Sequence, residues 1–185
     1  MTDLRWTPTR QEIEGARGGT IPDVLGPGLR VVFCGINPGL YSAAVGHHFA
    51  RPGNRFWKAL HAAGFTDRLL LPLEDLRLLD VGLGLTNVVR RATAAAAELS
   101  TEELREGARL LERKVRRTGP RAVAVLGVTA YRAALDRPRA ALGPQTDRLG
   151  GAMLWVLPNP SGLNAHHQLD DLVRRFAELR RGVDE

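Results

Sequence analysis

From about residue 29 onward, continuous apolar runs alternate with segments whose apolar positions recur at helical spacing. The runs at 29–36, 122–127 and 153–157 are rich in β-branched or aromatic residues and carry little charge. Such runs are typical of buried strands in a parallel sheet that is covered on both faces. Because strands alternate with helices, the pattern predicts an α/β fold: a three-layer α/β/α sandwich around a mostly parallel central sheet.

Four segments between and after these strands predict helices. Residues 54–63 carry an apolar stripe and are followed by a glycine that would end the helix. Ser100 and Glu103 have the spacing of a capping box, so a long helix should begin there and run to about residue 118. The remaining two predicted helices cover 129–135 and 168–181.

The 185 residues fit one domain with a substantial core. Three prolines and several glycines make residues 1–28 an irregular lead-in with room for one short helix, followed by a single domain at 29–185. Within the domain we expect a loop at 37–52 and a short strand or turn at 76–85. The segment between the helix at 129–135 and the last strand is expected to be a loop, because proline and glycine are frequent in it.

The net charge is +6, and almost all of the basic residues are arginines. Arginine suits contacts to phosphate, so nucleic-acid binding and a merely arginine-rich surface are both open interpretations. The single cysteine, Cys34, lies in an apolar strand and is expected to be a buried hydrophobe. No disulfide framework, signal-peptide core or membrane-spanning run is recognisable, so we expect a cytoplasmic protein without membrane contact. We also expect a monomer.

Two of the predicted strands end in related turns, Asn37-Pro38-Gly39 and Asn159-Pro160-Ser161-Gly162. Proline and glycine make such turns rigid, and parallel strands that point the same way bring their carboxyl ends to one edge of the sheet. The second turn continues into Leu163, which could be an exposed apolar wedge of the kind that enters base stacks. The sequence therefore predicts a polar site beside a wedge.

Other site chemistries find little support. Neither G-x-G-x-x-G nor G-x-x-x-x-G-K-[ST] is present, which disfavours a dinucleotide or P-loop site. His47, His48 and His61 lack partners at zinc-ligand spacing. We expect neither a metal nor a cofactor.

The motifs together resemble those of a known enzyme family, the mismatch-specific uracil-DNA glycosylases, within the uracil-DNA glycosylase superfamily. Some segments are similar to the thymine-DNA glycosylase branch of that family. The resemblance extends from about residue 31 to 181 with the motifs in order, and it rests on Gly35-Ile36-Asn37-Pro38-Gly39, Gly46-His47-His48-Phe49, Pro52-Gly53-Asn54-Arg55-Phe56-Trp57-Lys58, Gly84-Leu85-Thr86-Asn87 and Asn159-Pro160-Ser161-Gly162-Leu163.

This resemblance implies a DNA-repair hydrolase that flips uracil, or a related damaged pyrimidine, out of mismatched double-stranded DNA and leaves an abasic site. Asn37 would position the hydrolytic water, and Phe49 would stack on the flipped base. Ile36, Ser42 and Asn87 would complete the base pocket, Ser42 being close to the pyrimidine 5-position. Ser161, Gly162, Leu163 and Asn164 would form the wedge and its backbone contacts, with Asn164 standing where the bacterial enzymes carry arginine.

Two alternatives remain open at this point: a non-catalytic nucleic-acid-binding domain and a hydrolase of free nucleosides. A free nucleoside would need neither a wedge nor a basic surface. Other branches of the superfamily carry an aspartate in place of Asn37, so a carboxylate could assist from elsewhere. Asp80 is the candidate, because it lies in an apolar run shortly before Asn87; capping a turn or pairing with an arginine is its alternative role.

Overall fold

The computed structural model describes residues 7–185, which contain one five-stranded sheet in the order β2–β1–β3–β5–β4. The strands β2, β1, β3 and β5 run parallel, whereas β4 pairs with β5 in the antiparallel direction. The mostly parallel sheet predicted from the sequence is confirmed. The strand bounds are β1 Val31–Gly35, β2 Leu83–Asn87, β3 Ala122–Leu126, β4 Gly143–Leu149 and β5 Ala152–Leu157.

Helices cover both faces of this sheet. On one face, α3 and α6 pack Phe56 and Phe176 against Phe33 of β1. On the other face, α4 and α5 pack Leu111 and Tyr131 in the core that contains the alternate residues of β1 and β3. The helices are α1 Arg10–Gly15, α2 Leu40–Val45, α3 Phe56–Ala62, α4 Thr101–Thr118, α5 Val128–Leu135 and α6 Leu169–Asp184, with 3-10 helices at Pro72–Val81 and Ala96–Glu98.

The capping box expected at the start of α4 is present. The Glu103 N–H donates to Ser100 Oγ at 3.1 Å, and the Ser100 N–H donates to Glu103 Oε2 at 2.9 Å. Gly119 ends the helix in the left-handed conformation, with φ of 61°. Local sequence signals therefore determine both ends of the longest helix.

Two segments differ from the prediction, and a third, predicted as a short strand or turn, agrees with it only in part. The expected loop at 37–52 contains α2, a short helix whose one buried residue is Ser42, so it has no apolar stripe to reveal it. The segment at 76–85 is the end of a 3-10 helix followed by β2. The expected loop after α5 contains β4, an edge strand of mostly exposed polar residues. An edge strand needs no continuous apolar run, because only part of its surface is buried.

The lead-in joins the sheet more closely than expected. It contains α1, the one short helix anticipated, and its residues 18–24 then run beside the end of β2. Backbone hydrogen bonds link Gly18 and Gly19 to Ala92, and Val24 to Leu85, at 2.8–2.9 Å. Nearby, Asp23 accepts a hydrogen bond from Thr86 Oγ1 at 2.7 Å and pairs with Lys114 Nζ of α4 at 2.7 Å.

Within the described residues, no helix has the length and apolar composition needed to span a membrane.

Candidate active site

A pocket of about 260 Å³ opens at the carboxyl edge of the sheet, where the chain leaves β1, β2 and β5. This edge is where open α/β sheets usually bind ligands, at the point where strand connections diverge. Residues singled out in the sequence that line this pocket are Ile36, Asn37, Ser42, Phe49, Asn87, Ser161 and Leu163. The structure therefore brings most of the predicted site residues together.

The Asn37 amide has a fixed orientation. Its Nδ2 donates to the Arg91 carbonyl at 3.0 Å and to Thr93 Oγ1 at 2.8 Å. An amide nitrogen has two hydrogens, so these bonds use both of its donors. The carbonyl Oδ1 of Asn37 is left as an acceptor for a ligand or a water in the pocket.

Thr93 completes this arrangement and was missed in the sequence. Its hydroxyl donates to the Ala95 carbonyl at 2.8 Å, so a lone pair is free to accept the hydrogen from Asn37. The Thr93 N–H donates to the Pro38 carbonyl at 3.2 Å, and the side chain is almost fully buried. Asn37 and Thr93 are 56 residues apart, and no local pattern relates them.

The Phe49 ring forms one wall of the pocket. The residue has φ of 53°, a left-handed conformation that is uncommon for a bulky side chain and that occurs preferentially at functional sites. One face of the ring stacks on Phe56, with centroids 4.2 Å apart and planes inclined by 24°. The surrounding fold, through Phe56 and its contact with Phe33, therefore holds Phe49 in a strained orientation beside the pocket.

Gly35 allows Asn87 and Phe49 to approach the end of β1. A Cβ placed on Gly35 would lie 2.5 Å from Asn87 Oδ1 and 3.4 Å from the nearest atoms of the Phe49 ring. Such a distance to an oxygen is shorter than a carbon–oxygen contact allows, about 3.3 Å. The absence of a side chain at Gly35 therefore serves close packing and not backbone conformation.

Ser42 and His48 are buried polar residues of the pocket wall. Ser42 Oγ accepts a hydrogen bond from the Ala50 N–H at 3.0 Å, which fixes the loop that carries Phe49. His48 Nε2 lies 2.9 Å from the Pro22 carbonyl, an acceptor only, so Nε2 carries the proton. Burial lowers the pKa of His48, which favours the neutral ring and leaves Nδ1 without a proton.

Ile36 packs between the ends of β1 and β3. A Cβ placed on Gly127, which follows β3 with φ of 133°, would lie 3.0 Å from Ile36 Cδ1. Ile36 therefore fills the space between the two strand ends and forms an apolar part of the pocket wall.

The predicted wedge lies at the tip of the loop that follows β5, which we call the wedge loop (residues 159–167). The Leu163 side chain is 75% exposed, more than any other large apolar side chain in the described residues. Ser161 Oγ accepts from the Leu163 N–H at 3.3 Å, and Asn159 Oδ1 accepts from the Ser161 N–H at 3.0 Å. The loop is thus braced by its own side chains while its apolar tip faces solvent.

Gly162 and Asn164 belong to this loop but do not line the main pocket. A Cβ on Gly162 would lie 2.6 Å from the Gly53 carbonyl oxygen, so the loop backbone packs directly on the segment before α3. Asn164 Nδ2 donates to the Asn159 carbonyl at 3.0 Å, and its Oδ1 accepts from the His166 N–H at 3.1 Å. The Asn164 side chain therefore serves the loop itself.

Asp80 does not line the pocket, contrary to the expectation that it could assist Asn37. It is exposed and lies at the end of a 3-10 helix, just before the amino end of β2. Asn87 and the pocket lie at the other end of that strand, about 13 Å away for four residues. The run that contains Asp80 is apolar in sequence but only partly buried, so no desolvated carboxylate arises. The buried carboxylate is Asp75, whose Oδ2 lies 3.1 Å from His47 Nδ1.

Among residues 7–185, no three metal-ligating side chains come together.

Comparisons with known proteins agree with this geometry. Residues 22–180 match the family model described as "Uracil DNA glycosylase superfamily". The fold is similar to the solution NMR structure of a protein from Methanosarcina acetivorans titled a "putative Uracil DNA glycosylase". That similarity has a TM-score of 0.60 and 22% identity, and it covers 91% of this chain and 99% of the other; at this identity it shows the fold alone. Because the family model matches most of this chain, the chain belongs to the uracil-DNA glycosylase superfamily.

Proposed function

We propose that the protein is a monofunctional, mismatch-specific uracil-DNA glycosylase. Membership of the superfamily implies a hydrolase that releases uracil from DNA. The finer proposal is that it flips uracil, or a related damaged pyrimidine, out of mismatched double-stranded DNA and leaves an abasic site. The observation that carries the proposal is the Asn37 amide, whose two donors are bound by Arg91 and Thr93 and whose Oδ1 is available in the pocket.

This geometry suits a water-directed reaction. The oxygen of water bonds to C1′ of the deoxyribose as the bond from C1′ to the base nitrogen breaks. The electron pair leaves with the base, and the proton that the bound water then loses is taken up by the departing base or by solvent. Asn37 Oδ1 can accept a hydrogen bond from that water and orient it, although an amide is too weak a base to take its proton early. Backbone N–H groups of the pocket can stabilise the departing anion, so bases that are good leaving groups, such as uracil, are favoured.

The proposal of a monofunctional enzyme rests on the positions of the two lysines. A glycosylase that also cuts the strand commonly forms a Schiff base between an amine and C1′. Lys58 lies on α3 outside the pocket, and Lys114 is paired with Asp23. The described pocket wall contains no lysine, so hydrolysis by water is the favoured chemistry.

The exposed Leu163 favours duplex DNA as the substrate over a free nucleoside. A wedge offsets part of the cost of extruding a base, a few kcal/mol, by filling the vacated space. Arg51 is exposed and lines the mouth of the pocket, where it can contact phosphate. We propose that the protein acts in this way as a cytoplasmic monomer bound to DNA.

The test is a single-turnover assay with purified protein on an end-labelled duplex that contains one G·U pair. Matched substrates carry an A·U pair, the single strand, or free deoxyuridine. We expect fastest uracil release from G·U, an alkali-labile abasic site, and no release from the nucleoside. Strand breaks without alkali would contradict the monofunctional mechanism, and equal rates on G·U and A·U would contradict mismatch specificity. Binding to DNA without release would favour the non-catalytic alternative.

A further inference from the structure

We propose that Arg55 is a positioning residue that holds the wedge loop in its inserting conformation. Arg55 immediately precedes α3 and lies far from the wedge loop in sequence. Its Nη2 donates to the carbonyls of Ser161 at 2.7 Å and Asn164 at 2.9 Å, and its Nη1 donates to the carbonyl of His167. One guanidinium therefore binds three backbone carbonyls of the same loop.

The backbone of Arg55 adds a fourth contact. The Arg55 N–H donates to the Pro160 carbonyl at 3.0 Å. Gly162 packs against the Gly53 carbonyl so closely that a Cβ would not fit. Residues 53–55 thus contact the wedge loop on both sides of its apolar tip, and Arg55 supplies most of the hydrogen bonds.

The hydrogen-bond partners of the Arg55 guanidinium are backbone carbonyls, not a carboxylate. Among the described residues this guanidinium makes no salt bridge, and its Nε is buried without a hydrogen-bond partner. Burying part of a charged guanidinium without a carboxylate partner costs free energy, unless well-placed hydrogen bonds offset that cost. The planar fork of arginine can serve several acceptors at once, whereas the point charge of lysine cannot be placed on three carbonyls in the same way.

The position of these carbonyls connects Arg55 to the wedge. Ser161 and Asn164 flank Leu163, and a turn closes between them through the Asn164 N–H and the Ser161 carbonyl at 3.0 Å. By fixing both sides of this turn, Arg55 keeps Leu163 exposed before DNA is bound. A loop ordered in advance avoids the entropy cost of ordering on insertion. This role rests on the proposed function, because it matters only if Leu163 enters DNA.

The test compares Arg55→Gln and Arg55→Lys with Arg180→Gln as a matched control. Arg180 also has a buried Nε without a partner, but its guanidinium packs on Gly64, away from the wedge loop. For Arg55→Gln we expect uracil release from a G·U duplex to fall about tenfold or more, since hydrogen bonds to a charged group are among the stronger ones. Release from single-stranded DNA should change by no more than about threefold. Arg55→Lys should restore little of the activity on duplex DNA.

Two readouts do not depend on catalysis. Hydrogen exchange should become faster in peptides that cover the wedge loop, and affinity should fall for a duplex carrying an uncleavable abasic analogue. Arg180→Gln should change neither. Equal losses of activity on duplex and single strands, full rescue by lysine, or unchanged exchange in the wedge loop would each overturn the proposal. If the wild-type protein releases no uracil from any DNA, the proposed function fails. In that case the two other measurements on Arg55→Gln decide. Faster exchange in the wedge loop together with weaker binding to the abasic duplex supports the role of Arg55. Faster exchange with unchanged binding overturns it.

Discussion

Gly35→Ala is expected to impair the active site while leaving the fold intact. The added Cβ would lie 2.5 Å from Asn87 Oδ1, against a normal carbon–oxygen contact of about 3.3 Å, so the oxygen must retreat by about 0.8 Å. Asn87 can yield by rotating the far end of its side chain, which should cost no more than about 1.5 kcal/mol of stability. A displacement of that size beside reacting atoms can cost about a hundredfold in rate.

Gly84→Ala on the neighbouring strand β2 is the matched control. Its Cβ would approach Leu29 Cδ1 at 2.6 Å and the Val24 carbonyl oxygen at 2.7 Å, a similar overlap outside the pocket. Backbone cannot rotate away, so this variant should lose about 1–3 kcal/mol of stability and keep its single-turnover rate per folded molecule. The assay is uracil release from a G·U duplex together with thermal unfolding. Full activity of Gly35→Ala would refute the reasoning that Asn87 must stay where it is.

Three further predictions concern other parts of the molecule. Asn37→Ala should abolish measurable release, and Thr93→Val, which removes one acceptor for the Asn37 amide, should slow single-turnover release about tenfold; an unchanged rate for Thr93→Val would show that Asn37 is oriented without it. Leu163→Ala should reduce release from duplex far more than from single strands, and equal losses would mean that Leu163 only packs in its loop. Hydrogen bonds from Arg91 and from the Ser100 N–H lower the pKa of Glu103 from 4.5 to about 2, so these contacts stabilise the fold above pH 4.5 and lose their effect as pH falls towards 2. The difference in melting temperature between the wild type and Glu103→Gln should therefore shrink over that interval, and a constant difference would contradict the assignment.

The sequence predicted the sheet and most of the pocket because both follow from local signals. Buried parallel strands require continuous apolar runs, and the turns after β1 and β5 carry their own proline and glycine. The edge strand β4 was missed because pairing with β5 through the backbone requires no apolar pattern. Asp80 was misplaced because an apolar neighbourhood in sequence does not specify which side chains are buried.

Long-range hydrogen bonds were the other limit. Thr93 binds Asn37, and Arg55 binds the carbonyls of the wedge loop from 106 to 112 residues away. Such partners are recognised only when the fold brings them together, since backbone carbonyls have no residue type to identify them. The sequence could therefore indicate which residues face the substrate, but not which residues hold them in place.

The attachment of the lead-in determines where the chain can be shortened. A fragment beginning at residue 29 would keep every strand and all the motif residues, yet it would lose Ile21 from the pocket wall and the Pro22 carbonyl that binds His48. It would also leave Lys114 without Asp23, and the backbone of Leu85 and Ala92 without its partners. Trimming for expression or crystallisation that reaches Gly18 should therefore disturb the active site, which includes a segment that precedes the first strand.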